Sequence, residues 1–257
     1  MKRLLFFLVL SASVFGQLLT PSWRNDEGSS HAEWDVFTEA TFVPNFPDVA
    51  FDEDATLTCR TSSAFLTSSR NIYSFQAPIS MQLDDTTGLL VRNVFLQIGA
   101  LGSGVDAAGI QLIVEDDEGE VRVIFPTQNF IGSEEELNGE NGGLGTIYGI
   151  QWDLRETPFT GKYTILFDAA APSLSLDRVS LDLSEEYLEI AKPRPLSIRI
   201  NPGEVMVSWI GGRRLQSSQS LVSGWVNVPG AEGVNQIILP LQNQTTFFRL
   251  TAVNPVE

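Results

Sequence analysis

Three carboxylate residues, Glu115, Asp117 and Glu120, have the spacing that comes closest to a catalytic pattern in this chain. Retaining glycosidases use two carboxyl groups about 5 Å apart, one as nucleophile and one as acid. An E-x-D-x-x-E string in a strand could supply such a pair. However, residues 116–119 hold further acids and end in glycine, which is typical of a hairpin turn. The hairpin is therefore the better interpretation of this string.

Nucleophilic and thiolate-metal chemistry have few residues to draw on. His31 is the sole histidine and Cys59 the sole cysteine, and no G-x-S-x-G elbow occurs. A serine or cysteine nucleophile would need His31 as its base, and a thiolate cluster needs more than one cysteine. Cys59 ends an alternating segment, so it is expected to pack as a small core side chain. We therefore predict no catalytic residues and a protein that is not an enzyme.

Sugar binding would need exposed aromatic rings, and three residues are least tied to an apolar strand face: Trp23, Trp34 and Phe130. We predict them as ligand-binding residues. Glu33 and Asp35 flank Trp34 and could hydrogen-bond sugar hydroxyls. The alternative is that Trp34 fills the interior of a sandwich, because aromatic side chains bury large areas.

The elements that must position these residues are strands. Apolar and polar residues alternate over 94–98, 110–114 and 121–125, with the acidic turn 116–119 between the last two. A strand over 148–155 places Trp152 on its apolar face. Between 173 and 183 the apolar parity switches near residues 177–178, which predicts a bulge. Helical periodicity is nearly absent, so the chain is predicted to be all-β.

Two β-sandwich domains fit this pattern. Residues 191–195 contain two prolines and two basic residues in an otherwise acidic chain, which is typical of a linker. We predict a jelly roll over 17–190 and a small fibronectin- or immunoglobulin-like sandwich over 196–257.

The start of the chain predicts export. Residues 1–16 combine Lys2 and Arg3, a short apolar run and small residues, as in a cleaved signal peptide. The run is shorter than the ~20 residues that span a bilayer, so no membrane insertion is expected after cleavage. We predict a secreted, extracellular or periplasmic protein.

The net charge of the chain is strongly negative. It is −16 for the full sequence and becomes −18 when Lys2 and Arg3 are removed with the signal. Such a charge disfavours nucleic acid and anionic membranes as partners.

Residues near the C-terminus carry a family resemblance. Residues 205–209 read VMVSW, 214–218 read RLQSS, 224–230 read GWVNVPG and 247–250 read FFRL. This region resembles the short C-terminal fibronectin type III or immunoglobulin-like module of planctomycete-type secreted proteins. The resemblance implies an accessory module whose tryptophans are core residues and which contributes no catalytic residue.

A second resemblance covers the N-terminal region. Residues 20–24 read TPSWR, 32–35 read AEWD and 175–182 read SLDRVSLD. They resemble the first domain of such exported proteins, and the last stretch is similar to the closing strand of a galactose-binding-like jelly roll. By analogy this implies a carbohydrate-binding module.

Jelly rolls of this kind are often stabilised by one calcium ion, which needs only oxygen ligands. Asp52 and Asp54 lie in an acidic cluster, and Asp177 lies on the closing strand. We predict these three as calcium ligands, the last by analogy. The alternative is that the acids form solvated loops.

Three functions remain open at this level. The first is a secreted, non-enzymatic binding or adhesion protein for extracellular polysaccharide, with calcium in a structural role. The second is a structural component of the cell envelope or matrix that has no small ligand. The third, a glycoside hydrolase or lyase, is disfavoured because the pattern around residues 115–120 indicates a turn.

Overall fold

Strands are the only regular secondary structure among the residues that the structure describes. The computed structural model describes residues 18–50, 55–115, 119–137, 143–190, 196–209, 213–231, 234, 236–241 and 245–252. The predicted signal peptide (1–16) and linker (191–195) lie outside these residues. The prediction of an all-β chain is confirmed. In this part of the chain, no helix has the length and apolar character needed to cross a membrane.

Nineteen strands follow one another in the described part of the chain. They are β1 (Ser29–Trp34), β2 (Val49–Ala50), β3 (Thr56–Cys59), β4 (Phe65–Leu66), β5 (Ile72–Tyr73), β6 (Ser80–Val91), β7 (Asn93–Gly102), β8 (Gln111–Glu115), β9 (Val121–Ile124), β10 (Gln128–Leu137), β11 (Gly143–Asp153), β12 (Phe159–Asp168), β13 (Leu174–Ser184), β14 (Leu196–Asn201), β15 (Glu204–Trp209), β16 (Arg213–Ser218), β17 (Val226–Asn227), β18 (Gln236–Pro240) and β19 (Phe247–Ala252).

The first thirteen strands form two antiparallel sheets around one apolar core. The larger sheet has the order β10-β11-β7-β13-β1-β2, with the short β4–β5 hairpin attached to β13. The smaller sheet has the order β3-β6-β12-β8-β9. Apolar side chains from both sheets meet in one cluster that includes Trp34, Trp152 and Tyr163. This is the predicted β-sandwich, and Trp152 is a core residue as expected.

Strand alternation explains which residues enter that core. On β7, Val94, Leu96 and Ile98 belong to the core, whereas Phe95 and Gln97 point to the opposite face of the sheet. The predicted bulge is present, because the register between β13 and β7 shifts between Leu176 and Arg178. Gly99 of β7 lies opposite Arg178 at this bulge, where a side chain would be too close, because a Cβ on Gly99 would lie 2.6 Å from Cγ of Arg178.

The last six strands form two further antiparallel sheets of three strands each. Their orders are β14-β15-β18 and β17-β16-β19. Val207, Trp209, Leu215, Val228 and Ala231 form a separate apolar cluster. The position at which the chain divides into domains stays a prediction.

Candidate functional site

Trp34 is a core residue and offers no ring face to a ligand. Its side chain is fully buried, and its indole N–H donates a hydrogen bond to the carbonyl oxygen of Asn45 at 3.1 Å. This environment matches the alternative interpretation, in which Trp34 fills the interior of the sandwich. Asn45 is itself buried and accepts backbone N–H bonds from Thr38 and Glu39, which fixes the loop above the tryptophan.

Trp23 and Phe130 lie on the outer face of the eight-stranded sheet, but in a second, small apolar cluster. Trp23 is 3 % exposed and packs with Phe95 and Ile190. Phe130 is half-buried and stacks on Phe95, with ring centroids 6.2 Å apart and planes 18° apart. These aromatics therefore pack against one another where a free platform was expected.

Two chain segments cover this outer face. Residues 18–28 precede β1, and Gln97 binds them by accepting from the N–H of Leu19 at 2.7 Å and donating to its carbonyl at 2.8 Å. Residues 185–190 follow β13, and Gln151 binds them by donating to the carbonyl of Leu188 at 2.8 Å and accepting from the N–H of Ile190 at 2.9 Å. Each amide thus forms the pair of bonds that a neighbouring strand would supply.

An ion pair fastens the first of these segments. Arg24 donates two hydrogen bonds to Asp182, at 2.6 and 2.8 Å, and another to Glu33. It also donates to the hydroxyl of Ser180 at 2.9 Å. The side chain of Asp182 is only 1 % exposed, and this burial raises its pKa although Arg24 acts in the opposite direction. The network is a structural clamp on the N-terminal segment.

Of the acids predicted to bind calcium, only Asp177 lies within the described residues. Asp177 accepts hydrogen bonds from Arg178 at 2.8 Å and from the amide of Asn71 at 3.3 Å. Asp52 and Asp54 lie outside the described residues. In the part of the chain that the structure describes, no three His, Cys, Asp or Glu side chains are grouped as metal ligands. Calcium binding therefore stays a prediction.

The other candidate residues occupy structural positions. Strands β8 and β9 pair as the predicted hairpin, with Glu115 opposite Val121. Asp117 lies outside the described residues. Cys59 is fully buried in the core, and burial raises the pKa of its thiol, so it is a packing residue as expected.

A carboxyl group that the sequence analysis did not single out lies inside the sandwich. Asp85 is 5 % exposed and accepts hydrogen bonds from the Tyr163 hydroxyl at 2.5 Å and from the N–H of Thr86 at 2.7 Å. Burying a carboxyl group is costly unless donors satisfy it. Tyr163 thus stabilises Asp85 in the core.

Three touching rings, Phe65, Tyr73 and Phe75, lie together at the surface, and we name them the aromatic cluster. Phe65 and Phe75 stack with centroids 5.7 Å apart, and Tyr73 meets Phe75 edge to face at 4.5 Å. Phe75 is 67 % exposed and Phe65 is 41 % exposed. Rings of this size are usually buried, so three of them together at the surface indicate a contact surface.

The backbone beneath the aromatic cluster is held on two sides. Phe65 pairs with Tyr73 across the β4–β5 hairpin, and β5 pairs with β13, where Tyr73 lies opposite Ser175. Ile72 is fully buried in the core and anchors the hairpin. Because alternate residues point to opposite faces, this anchor holds Tyr73 outward.

Polar side chains border the aromatic cluster. Ser175 accepts a hydrogen bond from the amide of Asn71 at 3.2 Å, and the same amide reaches Asp177. Apolar rings beside a few polar groups are the usual composition of a ligand-binding surface.

The sequence contained one weak signal for the aromatic cluster. Tyr73 and Phe75 have the two-residue spacing of one strand face and follow a polar stretch, residues 67–71. The strands involved are only two residues long, so no alternation can be recognised in them.

No protein-family model and no curated protein matches the chain.

Proposed function

We propose that the protein is an exported, non-enzymatic binding protein that holds extracellular polysaccharide against the aromatic cluster. The observation that supports this most directly is the exposure of Phe65 and Phe75 on a hairpin anchored to the sandwich. The CH faces of a sugar ring are apolar and its hydroxyls are polar. Aromatic faces bordered by the half-buried Ser175 and Asp177, both of which accept from the buried Asn71 amide, match both parts of such a ligand.

The charge of the chain selects among polysaccharides. Residues 17–190 contain 29 acidic and 8 basic side chains. A field of this sign repels uronic acids and sulfated sugars and tolerates neutral ones. We therefore propose a neutral glycan as the ligand class.

Two further predictions belong to this proposal. The resemblance to planctomycete-type exported proteins and the leader-like residues 1–16 support a position outside the cytoplasm. The resemblance to galactose-binding-like jelly rolls supports a calcium ion with a structural role at Asp177, Asp52 and Asp54.

Binding can be tested with the mature chain on a glycan array and by affinity gel electrophoresis in neutral and acidic polysaccharides. Phe75→Ala should abolish retardation by the neutral ligand, because it removes the most exposed ring of the aromatic cluster. Phe46→Ala is the matched control, since Phe46 is also 67 % exposed but lies elsewhere. If no glycan is retained, or if both variants bind as the wild type does, the proposal is wrong.

The second candidate is a structural component of the envelope or matrix. It is favoured by exposed strand edges that could join one molecule to another. The mature chain would then assemble without any glycan. A folded protein that binds nothing on the same array and associates in sedimentation velocity would support this candidate.

A further inference from the structure

An exposed apolar row lies on an edge of the five-stranded sheet. Strand β9 is the last strand of that sheet and pairs only with β8 among the described strands. Val121, Val123 and, just beyond the strand, Phe125 are 59, 51 and 57 % exposed. A free edge with alternating apolar side chains is a template for pairing with another strand.

The other edges of this sandwich are protected. Strand β10 carries three consecutive glutamates, 134–136, and β2 is only two residues long. Strand β3 is covered by its neighbouring loop, because Asn45 and Leu57 exchange backbone hydrogen bonds at 2.8 and 2.9 Å. Short, charged or covered edges prevent strand pairing. Strand β9 is four residues long and carries one charged side chain, Arg122, but within the described residues no segment other than β8 pairs with it.

A second open edge lies in the C-terminal strands. Ile198 and Ile200 of β14 lie opposite Val207 and Val205 of β15 and thus face the interior of the small sandwich. They are nevertheless 49 and 69 % exposed.

Beside them is a groove of about 530 Å³ whose lining includes Leu239 and Phe248 as well as Ile198 and Ile200. Within the described residues, β14 pairs only with β15. One more strand beside β14 would bring its side chains over this groove.

The two edges carry opposite charge environments. Residues 17–190 contain 29 acidic and 8 basic side chains, whereas residues 191–257 contain 3 acidic and 6 basic ones. Exposed Glu115 and Glu120 lie next to β9 and outnumber the half-buried Arg122 on the strand itself, whereas exposed Arg199 lies on β14. Opposite charges at the two edges favour contact between unlike edges, and like charges disfavour pairing of an edge with its own copy.

We infer that β9 of one molecule pairs with β14 of a second copy of this chain. The apolar row of β9 then lies beside Ile198 and Ile200 and extends the wall of the groove. Because this contact joins two different surfaces, the first molecule keeps a free β14 edge and the second keeps a free β9 edge after the first contact. Such a head-to-tail contact leads to a chain of molecules unless the geometry closes it into a ring. This contact uses strands other than those that carry the aromatic cluster and does not depend on glycan binding.

Two complementary variants test this contact. Val123→Lys blocks β9 and leaves β14 intact, while Ile198→Lys blocks β14 and leaves β9 intact. Lysine on an edge strand is an effective block because its charge resists burial in an intermolecular sheet. Val43→Lys and Ile238→Lys are the controls, since these residues are 47 and 52 % exposed but lie outside the proposed contact.

The mature protein should be measured by sedimentation velocity from about 1 μM to about 1 mM, a range that covers weak association. We expect concentration-dependent association of the wild type and both controls, weakened by salt. Each blocking variant alone should have a dissociation constant raised by about tenfold or more. An equimolar mixture of the two blocking variants should form a heterodimer and stop there.

These measurements separate this arrangement from others. A wild type that stays monomeric throughout overturns the inference. A blocking variant that still forms homodimers indicates pairing of like edges and overturns it as well. Circular dichroism and the melting temperature of each variant, compared with its control, establish that the loss of association does not come from unfolding.

Discussion

Replacing Arg24 by methionine should strongly destabilise the attachment of the N-terminal segment. Arg24 is the cation for two acids, and its side chain is 10 % exposed against 1 % for Asp182 and 20 % for Glu33. Methionine keeps most of the aliphatic volume and removes the charge. Asp182 is then left buried without its two guanidinium bonds at 2.6 and 2.8 Å.

The magnitude follows from this geometry. Removing one partner of a buried ion pair typically costs about 3–5 kcal/mol, because the remaining charge is buried and uncompensated. At about 1.4 kcal/mol per factor of ten, the ratio of folded to unfolded protein falls by roughly a hundredfold or more. For a chain of this size, we expect the melting temperature to fall by about 6–20 °C.

The matched control is Arg155→Met. Arg155 also binds one aspartate, Asp153, through two nitrogen atoms, at 3.0 and 2.7 Å. Its side chain is 59 % exposed, so solvent compensates for the loss and no measurable change is expected. The double variant Arg24→Met with Asp182→Leu should recover much of the stability, since no unpaired charge remains.

Urea unfolding followed by fluorescence gives the free energies, and amide hydrogen exchange shows which part opens. Exchange in Arg24→Met should increase first in residues 18–28. Equal stability of Arg24→Met and Arg155→Met would show that the buried network does not hold the segment, and the reasoning would be refuted.

Three other predictions follow from the buried and acidic groups. Burial raises the pKa of Asp182, so the folded chain holds this proton more tightly than the unfolded chain, and this group makes stability fall as pH rises above about 4. Urea titrations at several pH values should therefore show that Asp182→Asn gains stability relative to the wild type as pH increases; a constant difference would contradict this. Tyr163→Phe should lower the free energy of unfolding by about 1–3 kcal/mol, because the buried Asp85 loses a donor, with Tyr148→Phe as the control. If Asp177 binds structural calcium, adding the ion to chelator-treated protein should raise the melting temperature of the wild type and not of Asp177→Asn, and an unchanged wild-type value would exclude the site.

Core residues and several of the strands were accessible from the sequence because side-chain parity is a local property. Trp152 and Cys59 share a strand face with apolar neighbours, and both are fully buried. The bulge near residues 177–178 was visible as a change of parity, since an extra residue reverses every later side chain. Turn chemistry similarly identified the hairpin between β8 and β9.

The aromatic cluster was missed because it depends on contacts that are remote in sequence. Tyr73 is positioned by pairing with Ser175, about a hundred residues away, through a strand of two residues. Nothing in the residues around Phe65 predicts that partner. Conversely, Trp23 and Trp34 were selected because they lacked apolar neighbours in sequence, whereas their packing partners come from other strands.

The alternation of polar residues in a strand predicts the face of the sheet to which they point. It does not predict that this face is exposed to solvent. Gln97, Gln151 and Asp182 all point away from the main core, yet each is fully buried. Their polar groups form hydrogen bonds within the molecule, with the backbone of the two covering segments and with Arg24. A glycan cannot reach this central part of the eight-stranded sheet unless those segments leave. The β4–β5 hairpin pairs with β13 and leaves Phe65 and Phe75 exposed. For this reason we place the proposed glycan-binding surface on this hairpin.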